Sequence, residues 1–251
     1  MKYKLIAFDI DGVLNEHGGN IQSESKEAID KLVKAGFQIV YASGKHVWYV
    51  CGGLVWSGLM RGDTFIIGEN GGVVFNPRSR KMLVQEENID DVHLIRSIVY
   101  NLHLKRNGFI RFGNITVWEE PKKTLFNLFP QEPRDSKRLG QILEEIISEN
   151  SLNLYTSINP DSVDVLQKGV NKLEGVKTLC EWLDIDPGEV VAFGDARNDK
   201  EMLEGVGFAV AVGNASGEIK EIVRAKDSNG YLAKNPCGKG VLEAVDRLLN
   251  L

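Results

Sequence analysis

Short apolar runs alternate with amphipathic segments in the first part of the chain. Residues 4–8 form an apolar run that ends in Asp9-Ile10-Asp11-Gly12, the pattern of a buried strand that leads acidic side chains into a loop. Over 23–35 the apolar residues recur on one helical stripe, and 37–42 again predicts a strand. A strand, a helix and a strand in this order predict a right-handed crossover and a parallel sheet, the start of a doubly wound α/β core.

This alternation breaks down in the middle of the chain and returns near its end. The expected elements before the break are a helix over 46–60 and strands over 64–67 and 72–75. In the middle of the chain, where the alternation breaks down, the expected elements are helices over 90–102 and 136–149, strands within 109–119, and two short strands after the second helix. Those after it are a helix over 172–183, a strand over 190–193, a helix over 199–204, a strand over 208–212, and then helices. We therefore expect a core of residues 1–81 and 166–251, interrupted by an α+β domain over 82–165.

Composition and charge narrow the classes of protein that remain. With 251 residues, 43% hydrophobic and 26% charged, the chain has the composition of an ordinary globular protein. Its formal net charge of -5 argues against nucleic-acid binding, which needs dense basic surface. The first apolar run is too short for a signal peptide or a membrane span, so we expect a cytoplasmic protein without a membrane partner. Three widely separated cysteines form no metal or redox pair.

Two acidic clusters each follow an apolar strand. Asp9 and Asp11 follow the first predicted strand, and Gly194-Asp195-Ala196-Arg197-Asn198-Asp199 follows the strand over 190–193. If the two strands are neighbours in a parallel sheet, four carboxylates converge at one edge, where ligands of such sheets bind. Carboxylates beside a phosphate are the surroundings that Mg²⁺ prefers, so magnesium is the expected counter-ion.

Each of these features also has a plain structural interpretation. Asp and Gly are common in strand-end turns, whatever the function. A serine after a strand, such as Ser43, is usually a helix cap, and a lone lysine, such as Lys172, is usually solvated. Asn70-Gly71-Gly72 is typical of a tight turn in which glycine permits positive φ. The two acidic clusters together, each after an apolar strand, favour a functional site.

The two acidic clusters resemble the first and last motifs of the haloacid dehalogenase superfamily. Ser43 is similar to that family's phosphate-binding Ser/Thr, Lys172 to its motif lysine, and Glu69-Asn70-Gly71-Gly72 to a Cof-type signature. The resemblance implies a Rossmann-like parallel-sheet core and, because the insert lies between the second and third motifs, an α+β C2-type cap. The chain departs from the common pattern at Val13, Lys45 and Leu173, none of which removes a catalytic group.

The resemblance also implies a role for each motif residue. Asp9 would be the nucleophile that forms an aspartyl phosphate, and Asp11 the general acid and base. Asp9, Asp195 and the main-chain carbonyl of Asp11 would bind Mg²⁺, with Asp199 holding the ion directly or through water. The substrate-binding residues would be Ser43, Gly44, Asn70, Lys172 and Asn198.

Among relatives with this cap, the chain resembles Cof-like phosphatases and, above all, the archaeal-type phosphoglycolate phosphatases. The implied function is Mg²⁺-dependent hydrolysis of a small phosphorylated metabolite, with phosphoglycolate as the expected substrate. A sugar-phosphate phosphatase acting on sucrose phosphate or mannosyl-3-phosphoglycerate, or a phosphomutase, is the alternative, and a phospho-ligand sensor without turnover is a further one. The glycine-rich turns of dinucleotide-binding and P-loop proteins do not follow Phe8. The sequence leaves open whether the protein is a monomer or a homodimer.

Overall fold

The computed structural model describes residues 2–250, with the exception of 103–104 and 107–108. Contacts divide the chain into two compact units. The core unit consists of Met1–Leu83 and Asn171–Leu251, and the insert unit consists of Val84–Val170. No helix in the described part of the chain has the length and apolar character needed to cross a membrane.

The two units contain strands and helices in the following chain order. The strands are β1 (Leu5–Asp9), β2 (Gln38–Ala42), β3 (Phe65–Gly68), β4 (Val73–Asn76), β5 (Lys81–Val84), β6 (Lys105–Arg106), β7 (Phe109–Phe112), β8 (Ile115–Glu120), β9 (Phe126–Pro130), β10 (Leu154–Ile158), β11 (Val163–Gln167), β12 (Val190–Gly194), β13 (Phe208–Ala211) and β14 (Gly230–Leu232). The α-helices are α1 (Ser23–Lys34), α2 (Val47–Ser57), α3 (Ile89–Leu102), α4 (Ser136–Glu149), α5 (Lys172–Leu183), α6 (Lys200–Gly205), α7 (Gly217–Ala225) and α8 (Cys237–Leu248).

The core unit is built on one eight-stranded sheet. Its strand order is β14-β13-β12-β1-β2-β3-β4-β5. The pairs from β14 through β3 are parallel, whereas β4 runs antiparallel to β3. The first strand, β1, lies between β12 and β2 although β12 begins only at Val190, far along the chain. The sequence order of strands and helices therefore yields a doubly wound sheet, as expected, with an antiparallel extension at one side.

Helices cover both faces of this sheet. On β1, Ile6 and Phe8 join one apolar cluster with α1, α2 and α8, while Leu5 and Ala7 join a second cluster with α5, α6 and α7. Successive side chains of a strand point to opposite faces, so a strand covered on both faces has to be apolar throughout. All five residues of β1 and of β12 are accordingly buried.

The insert unit has an apolar core of its own. Its six-stranded antiparallel sheet has the order β10-β11-β9-β8-β7-β6. The stripe predicted on the helix over 136–149 is present on α4, where Leu139, Leu143 and Ile146 are buried in the same cluster as α3 and the sheet. The prediction of an α/β core with an inserted α+β unit is confirmed.

Several elements differ from the sequence-based expectation. The strands β5, β6, β9 and β14 were not predicted, and the chain after 212 is not helical throughout, because β14 lies at the sheet edge. With three residues, β14 is too short to show an alternating pattern. The helix expected over 199–204 is a 3-10 turn, Arg197–Asp199, followed by α6.

Candidate active site

The sheet brings the two acidic clusters to the same edge. Because β1 and β12 are parallel neighbours in register, with Phe8 opposite Phe193, the residues that follow both strands emerge side by side. On the other side of β1, Asp9 is opposite Ala42, so Ser43 begins its loop at the same edge. The strand register thus places Asp9, Ser43 and Asp195 together.

Three carboxylates form a buried cluster at this edge. Oxygen atoms of Asp9, Asp195 and Asp199 lie within 4.8 Å of one another, and all three residues are buried. Lys172, at the first position of α5, reaches the cluster with a fully buried side chain. Its Nζ donates hydrogen bonds of 2.6 Å to Oδ1 of Asp9 and 2.6 Å to Oδ1 of Asp199. The plain structural interpretation of Lys172 as a solvated lysine is therefore wrong.

The cluster carries more negative than positive charge. Burial, reinforced by the charge of Asp199, raises the pKa of Asp9 from 3.8 to about 8 in spite of Lys172. Burial and the same neighbour raise the pKa of Asp195 to about 6. Burial alone would lower the pKa of the Lys172 ammonium, but the charges of Asp199 and Asp9 outweigh burial and raise it. One ammonium does not balance three carboxylates.

Asp199 fastens the loop that carries Asp195. Its Oδ2 accepts hydrogen bonds from the backbone N–H of Asp195 at 2.9 Å and of Ala196 at 3.1 Å, while its Oδ1 accepts from Lys172. Both carboxylate oxygens of Asp199 thus have protein donors. This arrangement closes the turn after β12 and aims the side chain of Asp195 at Asp9.

Asp11 lies outside the three-carboxylate cluster, although its loop touches the cluster. Its carboxylate forms an ion pair with Lys45 and is partly exposed. The adjacent Gly12 has φ +84°, and a Cβ there would lie 2.2 Å from Oδ2 of Asp195. The turn after β1 therefore needs glycine, and it directs Asp9 and Asp11 to different partners.

The turn Glu69–Gly72 connects the loops that hold Ser43 and Lys172. The N–H of Asn70 donates to the Ser43 carbonyl at 3.1 Å, and the N–H of Glu69 donates to the Lys45 carbonyl at 3.0 Å. On the other side, a Cβ on Gly71, whose φ is +102°, would lie 1.9 Å from the Asn171 carbonyl oxygen. The turn is thus more than a tight reversal, because it sets the spacing of two site loops.

Ser43, Gly44 and Asn70 lie together at this turn. Ser43 is buried, and its Oγ accepts a hydrogen bond from the N–H of Lys45 at 3.2 Å. A Cβ on Gly44 would lie 3.1 Å from Oδ1 of Asn70, so the glycine leaves room for the asparagine side chain. Within the described part of the chain, Oδ1 of Asn70 is buried without a hydrogen-bond partner. Asn198 has an exposed side chain in the 3-10 turn before Asp199.

The cluster fits a bound divalent cation. Oδ1 of Asp195 is buried and, among the described residues, has no hydrogen-bond partner. A buried anionic oxygen without a donor is costly, and a cation would remove that cost. The donors are all carboxylate oxygens, the ligands of hard ions such as Mg²⁺. Asp9 and Asp195 have oxygens left for an ion, whereas those of Asp199 are already bonded.

Sequence reasoning missed two supporting residues of the site. It treated Lys45 only as a departure from a family pattern, yet Lys45 pairs with Asp11. It also passed over Asn214, whose Nδ2 donates to the Gly12 carbonyl at 2.9 Å and whose Oδ1 accepts from the N–H of Cys237 at 2.8 Å. Asn214 follows β13 at the same edge as the acidic loops, so the rule that identified those loops would also have found it.

Comparisons with known proteins agree with this geometry. A family profile described as haloacid dehalogenase-like hydrolase matches residues 6–123 and 103–229. A phosphoglycolate phosphatase of Methanobrevibacter smithii is 29% identical over 257 residues, a match that covers 99% of this chain and 100% of the relative. An HMP-PP phosphatase of Yersinia pseudotuberculosis is 28% identical over 242 residues and 87% of each chain.

A solved structure extends the likeness to the whole fold. The haloacid dehalogenase-like hydrolase of Bacteroides thetaiotaomicron superposes with a TM-score of 0.76 at 20% identity, covering 98% of this chain and 99% of that one. The match includes the inserted α+β unit, which is a C2-type cap. With the family profile spanning most of the sequence, the chain belongs to the haloacid dehalogenase-like hydrolases and is a phosphatase of that family.

Proposed function

We propose that the protein is a Mg²⁺-dependent phosphatase that hydrolyses a small phosphorylated metabolite through an aspartyl phosphate on Asp9. The observation that carries this proposal is the buried cluster of Asp9, Asp195 and Asp199, in which the ammonium of Lys172 pairs with Asp9 and Asp199. Phosphoryl transfer needs an in-line nucleophile and stabilisation of spread charge more than it needs further covalent chemistry. The cluster offers both within one edge of the sheet.

Asp9 would supply the nucleophilic oxygen. Its position at the end of β1 is fixed by the sheet on both sides, and the hydrogen bond from Lys172 to Oδ1 limits its rotation. A carboxylate held in this way attacks phosphorus without a large loss of side-chain freedom. The leaving alcohol departs as the new P–O bond forms, and water then hydrolyses the aspartyl phosphate.

Asp11 would move the protons. It is partly exposed, so it can reach both the leaving group and the attacking water, and its ion pair with Lys45 restrains the carboxyl group. The same group would protonate the leaving alkoxide and later accept a proton from water. Lys45 is a positioning residue in this scheme.

Five further groups would hold the phosphate. Ser43 offers its hydroxyl, Gly44 its backbone N–H, and Lys172 a positive charge next to Asp9. Asn70 would turn its buried amide group to the substrate, and the exposed Asn198 would add an amide at the outer side.

The magnesium ion would bind between Asp9, Asp195 and the main-chain carbonyl of Asp11. Asp199 would orient Asp195 rather than bind the ion, because both of its oxygens accept hydrogen bonds from the protein. When bound, the ion would offset the negative charge that the carboxylates and the substrate phosphate share.

Phosphoglycolate is the substrate that the comparisons favour. The relative from Methanobrevibacter smithii that carries this name matches along its whole length. A sugar-phosphate phosphatase or a phosphomutase remains the alternative, because the same core supports these reactions. The relatives themselves are named for different substrates.

The decisive experiment measures phosphate release from a panel of phosphate esters by the full chain. Phosphoglycolate, sucrose phosphate, mannosyl-3-phosphoglycerate and hexose phosphates would each be offered with Mg²⁺ or with EDTA. We expect release that requires Mg²⁺, is fastest with phosphoglycolate and is abolished in Asp9→Asn. Asp63→Asn, which changes an exposed carboxylate of the same unit, is the matched control and should retain full activity.

Three results would contradict all or part of the proposal. Release that continues in EDTA or in Asp9→Asn would refute the metal-dependent aspartyl phosphate. Release that is fastest with a sugar phosphate would keep the mechanism and replace the substrate. A sensor without turnover would show no release from any ester while still binding phosphate.

A further inference from the structure

Helix α2 presents an apolar face to solvent. Over Val47–Ser57 its sequence, VWYVCGGLVWS, contains no charged residue. Val47, Val50 and Leu54 are buried against the sheet. On the outer side the exposed fractions are 54% for Trp48, 66% for Tyr49, 58% for Val55 and 92% for Trp56. A surface helix normally places polar residues there, so this face is unusual.

The neighbouring helices on the same side of the sheet follow the usual pattern. On α1 the ion pair between Glu27 and Lys31 covers the outer face, and Lys31 also pairs with Asp246 of α8. Both helices bury most of their apolar residues in the cluster on this side of the sheet. The apolar face is therefore a property of α2, not of this side of the sheet.

The exposed residues of α2 form one continuous face. At about 100° per residue, Trp48, Tyr49, Gly52, Val55 and Trp56 fall within an arc of about 120°, with Gly52 at its centre. We call these five residues the α2 face. A Cβ built on Gly52 would meet no atom within 4 Å. The centre of the face is thus bare backbone that another helix can approach closely.

The area of the α2 face fits association between proteins. An aromatic side chain offers about 150–250 Å², so the two tryptophans and the tyrosine together expose about 450 Å². That alone lies within the range of about 300–600 Å² for the largest apolar patch of a monomer, a patch that is often functional. It is also more than half of the roughly 800 Å² that each partner contributes to a standard interface.

The α2 face is close to symmetric about its centre. Trp48 and Trp56 lie four residues on either side of Gly52, and Tyr49 and Val55 lie three residues on either side. When two copies of the helix cross in opposite directions at Gly52, Trp48 of one copy packs beside Trp56 of the other, and each Tyr49 packs beside a Val55. A self-complementary surface of this kind is what a two-fold interface requires.

We propose that the chain forms a homodimer in which the α2 faces of two copies pack against each other across a two-fold axis at Gly52. The absence of charged residues on α2 means that no like charges meet in this contact. The antiparallel crossing also brings the N-terminal end of each helix dipole near the C-terminal end of the other. The dimer does not depend on the proposed phosphatase reaction.

Sedimentation velocity of the full chain across the micromolar concentration range tests this dimer. We expect a species of twice the chain mass of 27.9 kDa. In Trp56→Glu the dimer dissociation constant should rise roughly thirtyfold or more, as for an aromatic hot-spot residue of an interface. In Gly52→Leu it should rise as well, because the new side chain separates the helices, while the open space at Gly52 lets the chain fold.

A matched control and a lipid assay complete the experiment. Val33→Glu changes an exposed apolar residue of α1 outside the α2 face and should leave the dissociation constant unchanged. Thermal melting of each variant reports whether it folds. If Trp56→Glu does not fold, the dissociation constant of Gly52→Leu decides whether the α2 face forms the interface. A monomer at all concentrations, or a dimer that both variants leave intact, would overturn the proposal. The proposal would also be overturned if the wild-type chain sediments with phosphatidylcholine vesicles and the Gly52→Leu variant binds these vesicles more strongly than the wild type does.

Discussion

At the scale of single residues, Lys172 has the most demanding environment in the site. Its side chain is fully buried and touches two carboxylates, each at 2.6 Å. A buried ammonium is tolerated only where opposite charges and hydrogen bonds replace its water, and here Asp9 and Asp199 provide both. The lysine in turn keeps two buried carboxylates paired.

Removal of that ammonium should be costly to stability as well as to activity. In Lys172→Met, Asp9 and Asp199 lose their shared cation, and the free energy of unfolding should fall by about 3–5 kcal/mol. Lys177→Met, on the same helix but half-exposed, is the control and should change stability little. Urea unfolding of both variants measures this difference, and equal stability of the two would contradict the role of Lys172.

In the absence of metal, Asp9→Asn should raise the stability of the protein, whereas Lys172→Met lowers it. The raised pKa of Asp9 means that the folded protein retains a proton that the unfolded chain releases, so folding loses stability as pH rises from 3.8 to about 8. Asparagine keeps the hydrogen-bond acceptor for Lys172 and removes this charge. In EDTA at pH 8 the variant should melt at a higher temperature than the wild type while lacking activity. A lower melting temperature would show that the ionised carboxylate is favoured in the fold.

At the scale of elements, the turn Glu69–Gly72 acts as a spacer between β2 and α5. It is hydrogen-bonded to the loop after β2 and lies against the residue before α5. Close approach of backbone to backbone requires glycine, both for its positive φ and for its missing Cβ. Ser43 and Lys172, which are far apart in the sequence, thus obtain their separation from this turn.

Gly71→Ala should therefore disturb the site from a distance. Its Cβ would collide with the Asn171 carbonyl, so the start of α5 must move, and we expect a loss of about 3 kcal/mol in stability together with a large loss of activity. Gly58→Ala has a similar positive φ but open space around it, and should cost about 1 kcal/mol with activity retained. Chemical denaturation and phosphatase assays compare the two variants. If both lose the same stability and activity, backbone strain rather than the contact with Asn171 is responsible.

At the scale of the whole molecule, the chain forms two units with separate apolar cores. The core unit has one cluster on each face of its sheet, and the insert unit has a third cluster between its sheet and the helices α3 and α4. We expected the insert over 82–165, and the contacts delimit it as Val84–Val170. We therefore expect that the stability of each unit can be changed separately.

Hydrogen exchange followed by mass spectrometry would reveal this separation. Leu143→Ala leaves a cavity in the insert cluster and should destabilise that unit by about 2–5 kcal/mol. Amides over 84–170 should then exchange faster, while those of β1, β2 and β12 keep their protection. Leu179→Ala, in the core unit, should give the reverse pattern. A uniform change over both units in either variant would mean that they unfold as one.

The sequence alone determined the local features of this protein. Apolar runs defined β1, β2 and β12, the stripe over 136–149 defined α4, and acidic residues after two strands identified Asp9, Asp11, Asp195 and Asp199 as site candidates. These features depend on neighbouring residues and on the periods of helix and strand, both of which can be read from a single sequence.

Only the tertiary structure decided how these features meet. The position of β1 between β12 and β2, the ion pair of Asp11 with Lys45, the burial of Lys172 and the contact at Gly71 all join residues far apart in the chain. Such contacts depend on strand order and packing, which no local pattern encodes. The α2 face illustrates the same limit, because its residues have the apolar pattern of a buried helix and only the fold leaves them exposed.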